Sequence, residues 1–323
     1  MTKKSIKNIC IFGVNSLISQ EFINNHYSDF NILGIYKNSL NKAISEKIKK
    51  SYKYDLGVTN SIVSLNEVIF SFHKENKSDQ LIFIISSWSG KPRDKDRMKL
   101  KSAWETNKNI IDNVIETSKL CKPSQIIFLS SAGALYSQKT KKFSNENDRV
   151  SPSSQYGKQK LFAEKKLSKF SNSYFIDFTN LRIATAYGFN PNKSDQGVLN
   201  KWIKSAINKK EIELYDSPNS KINFISFEQV SKAIYVCIKE KIFGTYNIGS
   251  LNSTSLNELI EIIKKLTNNN KLEVKIKGND LRLFNIDTSL FKSKAKIHFK
   301  NELLSNAKKI LYAQLDNKGS HQD

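Results

Sequence analysis

The segment Gln125-Ile126-Ile127-Phe128-Leu129-Ser130-Ser131-Ala132-Gly133-Ala134-Leu135-Tyr136, followed after a polar loop by Ser151-Pro152-Ser153-Ser154-Gln155-Tyr156-Gly157-Lys158-Gln159-Lys160, decides the fold. Ile126 to Leu129 is an apolar run that reads as a buried strand, and it ends in Ser130 and Ser131. The second part reads as a helix presenting Tyr156 and Lys160. Positions i and i+4 share one helix face, so a phenol and an ammonium point into one cleft. A phenol with a pKa near ~10 is a poor proton shuttle at neutral pH. A nearby ammonium favours the phenolate, and each unit of lowering is worth about 1.4 kcal/mol. With Ser131 holding a substrate oxygen, the group suits alcohol–ketone interconversion beside a hydride carrier.

The Tyr-x-x-x-Lys spacing is weak by itself, because it recurs at Tyr235 and Lys239. Tyr235 belongs to an amphipathic helix pattern, Val230 to Tyr235, and reads as packing. What sets Tyr156 apart is the strand ending in two serines before it. On these residues the chain resembles the extended short-chain dehydrogenase/reductases of the nucleotide-sugar epimerase/dehydratase family. Phe128 to Tyr136 is similar to the family's serine-loop signature and Ser151 to Lys160 to its active-site helix. The resemblance runs in order over almost the whole chain. It implies Ser131, Tyr156 and Lys160 as the catalytic group, with Lys160 also holding the nicotinamide ribose and Ala132 on the substrate side.

Working outward, Ile6 to Phe12 reads as the first strand, entering Gly13-Val14-Asn15-Ser16-Leu17-Ile18-Ser19 and a helix to about Asn25. The family expects glycines at 13, 16 and 19, and only Gly13 is present. Serine is small enough for close approach, and a helix start still offers backbone N–H groups to a pyrophosphate. Asn31 to Tyr36 reads as the second strand. NAD-preferring relatives end it with an acid, whereas Tyr36-Lys37-Asn38 stands here. Lys37 therefore favours NADP over NAD as the cofactor. Lys53-Tyr54-Asp55-Leu56 reads as the third strand, with Asp55 and Leu56 beside the adenine by resemblance. Leu81 to Ser87 reads as the fourth, bringing Ile85, Ser86 and Ser87 to the nicotinamide side. Trp88 to Arg97 reads as a polar loop, and Leu100 to Lys119 as a long helix carrying Asn107, near the family's active site.

Beyond Lys160 the helix runs to about Phe170, and Tyr174–Thr179 and Leu181–Ala184 supply strand. By resemblance, Thr185, Val198 and Leu199 contact the nucleotide sugar, though the family often has Asn at the place of Thr185. The family's diphosphate-binding arginine is replaced by Ile222, with Lys221 just before it. Lys277 stands where another arginine is usual, and Arg282 follows. Lysine still meets phosphate as a point charge. Ser255 and Glu258 have the spacing of a capping box. These readings give a doubly wound parallel-sheet domain of the Rossmann type (1–187 plus 222–250), a smaller, mainly C-terminal α/β substrate domain (188–221 plus 251–315), and a flexible tail, 316–323.

The charge of +22 comes almost wholly from lysine, with only five arginines, and the lysines are spread along the chain. Readers of nucleic acid concentrate basic residues and use arginine at base edges, so a composition bias is the better reading and no nucleic-acid partner is expected. The charge does suit anionic small molecules such as a sugar nucleotide. Leu81 to Ile85 is too short to span a bilayer, so no membrane insertion is expected. Ile9 to Phe12, after Lys3 and Lys4, is too short for a signal segment and reads as a buried strand. Cys10, Cys121 and Cys237 lie far apart, as do His26, His73, His298 and His321, which argues against a metal site and suits a reducing, cytoplasmic setting. A homodimer is compatible with these features.

The residues after Ser131 narrow the reaction. By resemblance, dehydratases place an acid pair before the loop tyrosine, where Gly133 and Ala134 stand here, and relatives that also epimerise beside the ketone use a cysteine that Ala134 lacks. Hydride chemistry at the sugar C4, by a 4-epimerase or 4-keto reductase, remains. The competing reading is a catalytically silent binding protein, motivated by the lost glycines and arginine.

Overall fold

The computed structural model describes residues 6–59, 61–91, 96–136, 143–189 and 197–319, with side chains through residue 316. The first elements are β1 (Asn8–Phe12), α1 (Leu17–His26), β2 (Asn31–Tyr36), α2 (Lys42–Ser45), β3 (Lys50–Lys53) and α3 (Val63–Glu75). Then come β4 (Leu81–Ile85), α4 (Arg97–Cys121), β5 (Gln125–Ser131), the single turn α5 (Ala132–Leu135), α6 (Gln155–Ser173) and β6 (Asp177–Ile183). The remainder is β7 (Thr185–Tyr187), α7 (Val198–Ile207), β8 (Ile212–Leu214), β9 (Lys221–Ser226), α8 (Phe227–Lys239), β10 (Gly244–Ile248), β11 (Ser253–Ser255), α9 (Leu256–Thr267), β12 (Val274–Ile276), α10 (Ser289–Ala295) and α11 (Leu303–Gly319).

The chain divides into two compact units. One comprises Met1–Leu135, Ser151–Arg182 and Ser231–Tyr246; the other comprises Tyr136–Val150, Ile183–Val230 and Asn247–Asp323. The first unit is built on a seven-stranded sheet in the order β10-β6-β5-β4-β1-β2-β3. The pairings β1–β2, β1–β4, β2–β3 and β4–β5 are all parallel. Parallel sheets need helical crossovers, which cover both faces, so central strands read as continuous apolar runs. Every residue of Asn8–Phe12 and Leu81–Ile85 is accordingly buried. Phe12 and Phe83 meet edge to face at 4.9 Å in this core. The edge strand β3, Lys-Ser-Tyr-Lys, alternates between half-buried and exposed positions, and its lysines discourage further pairing. Because β1 lies between β2 and β4, the strand order reverses beside it, and the crevice outside the ends of β1 and β4 is where this topology receives ligands.

The second unit holds a three-stranded sheet, β11-β9-β7, and the pair β12-β8. Buried Leu199, Trp202, Ile203, Leu259, Ile263, Ala307 and Ile310 supply the apolar faces of α7, α9 and α11. The Ser255 hydroxyl accepts from the Glu258 N–H while the Glu258 carboxylate accepts from the Ser255 N–H, so α9 opens with the expected capping box. Among the described residues, no helix is long and apolar enough to cross a membrane.

Three readings need correction. The third strand is Lys50–Lys53, and Asp55 and Leu56 lie in the turn after it. Its register comes from β2, with Leu33 opposite Lys50 and Tyr36 opposite Lys53, and an edge strand with one partner carries little pattern of its own. The boundary at 315 falls inside α11, which runs to Gly319 because buried Ala307 and Ile310 anchor it; residues 320–323 lie outside the described residues. The unit boundaries also differ: Tyr136–Val150, residues 183–187, 222–230 and 247–250 group with the second unit. Of the loop expected at 88–97, residues 92–95 lie outside the described residues, and Asp96 already caps α4 by accepting from the Met98 and Lys99 N–H groups.

Candidate active site

Gly13 closes β1 with φ +95°, a conformation costly for any residue with a Cβ. A Cβ there would stand 2.5 Å from the Ser87 backbone nitrogen, so the first strand can approach the end of β4 only as glycine. The serines at the missing glycine positions have found other work. Ser16 is the N-cap of α1, its hydroxyl accepting from the Ser19 N–H at 3.1 Å. The Ser19 and Ser86 hydroxyls lie 2.6 Å apart, and Ser86 donates to the Gly13 carbonyl at 2.9 Å and to that of Phe12 at 3.1 Å. A chain of three hydroxyls thus ties the turn after β1 to the end of β4. The Asn15 amide donates to the Ser39 carbonyl at 2.6 Å, Leu17 and Ile18 form the start of α1, and Ile85 is fully buried.

Beside this turn lies a cavity of about 200 Å³, whose lining includes Gly13, Tyr36, Lys37, Asp55, Leu56, Ser87, Trp88, Ser89 and Thr106. Six of the residues expected to bind cofactor line it: Gly13, Tyr36, Lys37, Asp55, Leu56 and Ser87. Lys37 reaches Asp55, Nζ to Oδ2 at 2.9 Å, so the basic group at the end of β2 already has an acidic partner. Asp55 also accepts from the Gly57 N–H at 2.9 Å. Trp88, Ser89, Thr106 and Tyr54 were not legible as lining residues, since their places come from loops and from α4 packing beside the sheet edge. A glycine turn without room for a Cβ, a helix start and a cavity at the strand-order reversal together fit a dinucleotide.

The catalytic candidates converge at the end of β5. Ser131 is its last residue and is half-buried; Ala132 opens α5 and is buried. Gly157 has no room for a Cβ, which would collide with the carbonyl oxygen of Ala134. The first turn of α6 is therefore pressed onto the turn that follows Ser131. Ser154 caps that helix, its hydroxyl accepting from the Gly157 N–H at 3.0 Å. Tyr156 and Lys160 then follow on one face, with Lys160 Nζ 5.9 Å from the Tyr156 ring centroid. Lys160 is buried and donates to the Leu129 carbonyl at 2.7 Å. Burial pulls its pKa down to about 7, opposed by the charge of Glu164, and burial pushes the Tyr156 phenol up to about 12.

Asn107 does not reach the cavity wall with its own side chain. Its amide accepts from the Ser89 N–H at 2.8 Å and donates to the Ser89 carbonyl at 3.0 Å and to Gln159 Oε1 at 2.7 Å. It bridges the loop after β4 to the residue preceding Lys160. Tyr235, the other tyrosine of this spacing, stacks on His26 with centroids 4.3 Å apart, a packing role.

Apart from Ala132, which lies in the first unit, the residues expected to meet the sugar nucleotide lie in the second. Thr185 opens β7 opposite Phe224, and Val198 and Leu199 open α7. Lys277 pairs with Glu213 at 3.6 Å and Arg282 with Asp216 at 3.1 Å. Both expected cations thus have carboxylates on or just after β8, a partnership the sequence did not announce. Among the described residues, no three His, Cys, Asp or Glu side chains gather in a way that could hold a metal ion.

Comparison with known proteins places this geometry. Residues 38–249 match the family model described as the NAD dependent epimerase/dehydratase family. The match begins beyond β1 and its altered glycine turn. A Methanocaldococcus jannaschii protein bearing the provisional name UDP-glucose 4-epimerase is 29% identical over 153 residues, 47% of this chain and 50% of that protein. Protein CapI of Staphylococcus aureus is 25% identical over 171 residues, 47% of this chain and 51% of its own. This chain spans about half the length of the curated relatives it matches. Among solved structures, the UDP-glucose 4-epimerase of Thermotoga maritima, with UDP-glucose, superposes with a TM-score of 0.80 at 20% identity, over 97% of this chain and 99% of that one. The UDP-N-acetylglucosamine 4-epimerase of Methanobrevibacter ruminantium gives 0.81 at 19% identity, over 96% and 98%. The likeness to solved structures establishes the fold, and the family match, which covers about two thirds of the sequence from just after β2 to the end of β10, establishes the kinship: the chain belongs to the NAD dependent epimerase/dehydratase family.

Proposed function

We propose that the protein interconverts an alcohol and a ketone at C4 of a nucleotide-activated sugar, as a 4-epimerase or a 4-keto reductase. The observation that carries the reading is Tyr156 and Lys160, one turn apart on α6, seated by Gly157 against the turn after Ser131. A nicotinamide dinucleotide, when bound, supplies or accepts the hydride. The chain's own residues handle the proton. The Ser131 hydroxyl holds the reacting oxygen. Burial keeps the Tyr156 phenol protonated at neutral pH, the state that gives a proton to a carbonyl oxygen during reduction. Reduction leaves a phenolate, which is the base that oxidation needs to take the proton back from the alcohol, and the Lys160 ammonium favours that phenolate. Gly133 and Ala134 offer no group that transfers protons for an elimination, which separates the reading from a dehydratase.

Gly13, Tyr36, Asp55, Leu56 and Ser87 would hold the dinucleotide, with Lys37 at its ribose. Asp55 already partners Lys37, so the preference for NADP over NAD is small. Three of the four proteins named above bear names with UDP-glucose or UDP-N-acetylglucosamine, so UDP sugars are the first substrates to test. Tyr156→Phe should lower turnover of the responding sugar about 10²–10⁴-fold, with NADH binding little changed. Near-normal turnover in the variant would remove Tyr156 from the reaction. Wild-type protein that binds NADH and a UDP sugar yet never turns over would favour the silent binding protein.

A further inference from the structure

Trp88 follows Ser86 and Ser87 at the end of β4, where it is among the residues lining the dinucleotide cavity. Lys160 Nζ lies 3.9 Å from the centroid of that ring and 4.7 Å from the centroid of Phe128. Among the described residues no carboxylate comes within ion-pair distance of this ammonium. Glu164, one turn further along α6, is committed to Arg182 and to Ser130. Tyr156 is the other titratable group facing it. The near partners of the Lys160 ammonium are thus one backbone carbonyl, Leu129, and the faces of Trp88 and Phe128, with the Tyr156 ring further off at 5.9 Å. Tryptophan presents the strongest such face to a cation. The arrangement is also braced. Asn107 holds Ser89, next to Trp88, and Gln159, next to Lys160, so one amide fixes the loop bearing the ring to the helix bearing the lysine. The indole N–H is buried and has no hydrogen-bond partner, so the ring is held by its face and not by its polar edge.

We propose that Trp88 is a positioning residue for Lys160: its π face stabilises the buried ammonium and holds it beside Tyr156, while its loop forms the cavity wall. The consequence for catalysis rests on the reading of Tyr156 and Lys160 given above; the contact itself does not.

The decisive experiment is a double-mutant cycle on the full chain without cofactor. Wild type, Trp88→Leu, Lys160→Met and the double variant are unfolded in urea at pH 6 and pH 9, on either side of the lowered Lys160 pKa. A cation–π contact exists only while the lysine is charged. The coupling should therefore change the unfolding constant about 2- to 30-fold at pH 6 and vanish at pH 9. Equal coupling at both pH values would mean ordinary packing and would overturn the proposal. If Trp88→Leu does not fold, Trp88→Phe replaces it, and its smaller face should leave a weaker coupling with the same pH dependence. Turnover adds a separate arm. Trp88→Leu should lower kcat at least several-fold, measured at saturating NADH so that any change in cofactor binding is set aside, and Trp88→Phe should recover part of the loss. An unchanged kcat in Trp88→Leu would overturn the positioning role. Absence of turnover in the wild type would sink the proposed reaction alone, since the cycle still decides the contact.

Discussion

The Arg182 guanidinium grips Glu164 from two sides, Nη2 to Oε2 at 2.8 Å and Nε to both carboxylate oxygens at 3.2 Å, with both side chains almost wholly buried. Ser130 adds a hydroxyl donated to Glu164 Oε1 at 2.5 Å. One carboxylate therefore joins β5, α6 and β6 directly behind Ser131 and Lys160. Nothing in the spacing of these three residues along the chain signals the cluster.

Breaking a buried pair leaves an uncompensated charge, whereas replacing both members by apolar residues need not. Glu164→Gln and Arg182→Met should each destabilise the protein by about 3–5 kcal/mol. Glu164→Met combined with Arg182→Met should cost well under the sum. Urea unfolding checks this, and additive losses would show that the pair is not coupled.

The lowered pKa of Lys160 makes stability depend on pH. Above about pH 10 the lysine is neutral in both folded and unfolded chains, so it imposes no penalty. Between about pH 10 and pH 7 the unfolded chain holds the proton and the folded chain does not, so stability falls as pH falls, by up to about 1.4 kcal/mol per unit. Below pH 7 the effect levels off. The difference in unfolding free energy between wild type and Lys160→Met should follow this course. A difference that does not vary with pH would mean that Lys160 titrates normally.

Lys37 is exposed and paired with Asp55, so a 2′-phosphate would have to compete for it. We expect NADPH to bind more tightly than NADH by a small factor, and Lys37→Ala to abolish that preference. Asp55→Asn, which frees the lysine, should enlarge it. The dissociation constants of both cofactors for the three proteins decide the matter; tighter NADH binding by the wild type would reverse the assignment.

Lys277 and Arg282 remain the cations proposed for the sugar-nucleotide diphosphate. A charge-assisted hydrogen bond contributes about 1.5–3 kcal/mol, so Lys277→Ala should weaken nucleotide-sugar binding roughly 10–100-fold while leaving the dinucleotide unaffected. Calorimetric titration of both ligands checks this. Equal losses for both would indicate general damage, and no loss would leave Lys277 to its ion pair with Glu213.

Much of the first unit was legible because it depends on local rules. Asn8–Phe12, Asn31–Tyr36 and Leu81–Ile85 are short apolar runs that a sheet covered on both faces requires, and Gly13 and the tyrosine–lysine spacing follow from backbone sterics and helix geometry. The sequence by itself therefore determined the strand–helix alternation, the turn after β1 and the face shared by Tyr156 and Lys160. Only the tertiary structure decided what those groups meet. Trp88 read as the start of a polar loop, Arg182 and Glu164 as ordinary strand and helix residues, and Asn107 as an active-site neighbour by resemblance, with no sign of its partners Ser89 and Gln159. Their roles arise when β4, β5, β6, α4 and α6 are packed side by side, between residues as far apart in the chain as Trp88 and Lys160. The charge partners of Lys37 and Lys277 were hidden for the same reason. A side chain's helix or strand position depends on its sequence neighbours, whereas its electrostatic environment depends on what the fold brings against it.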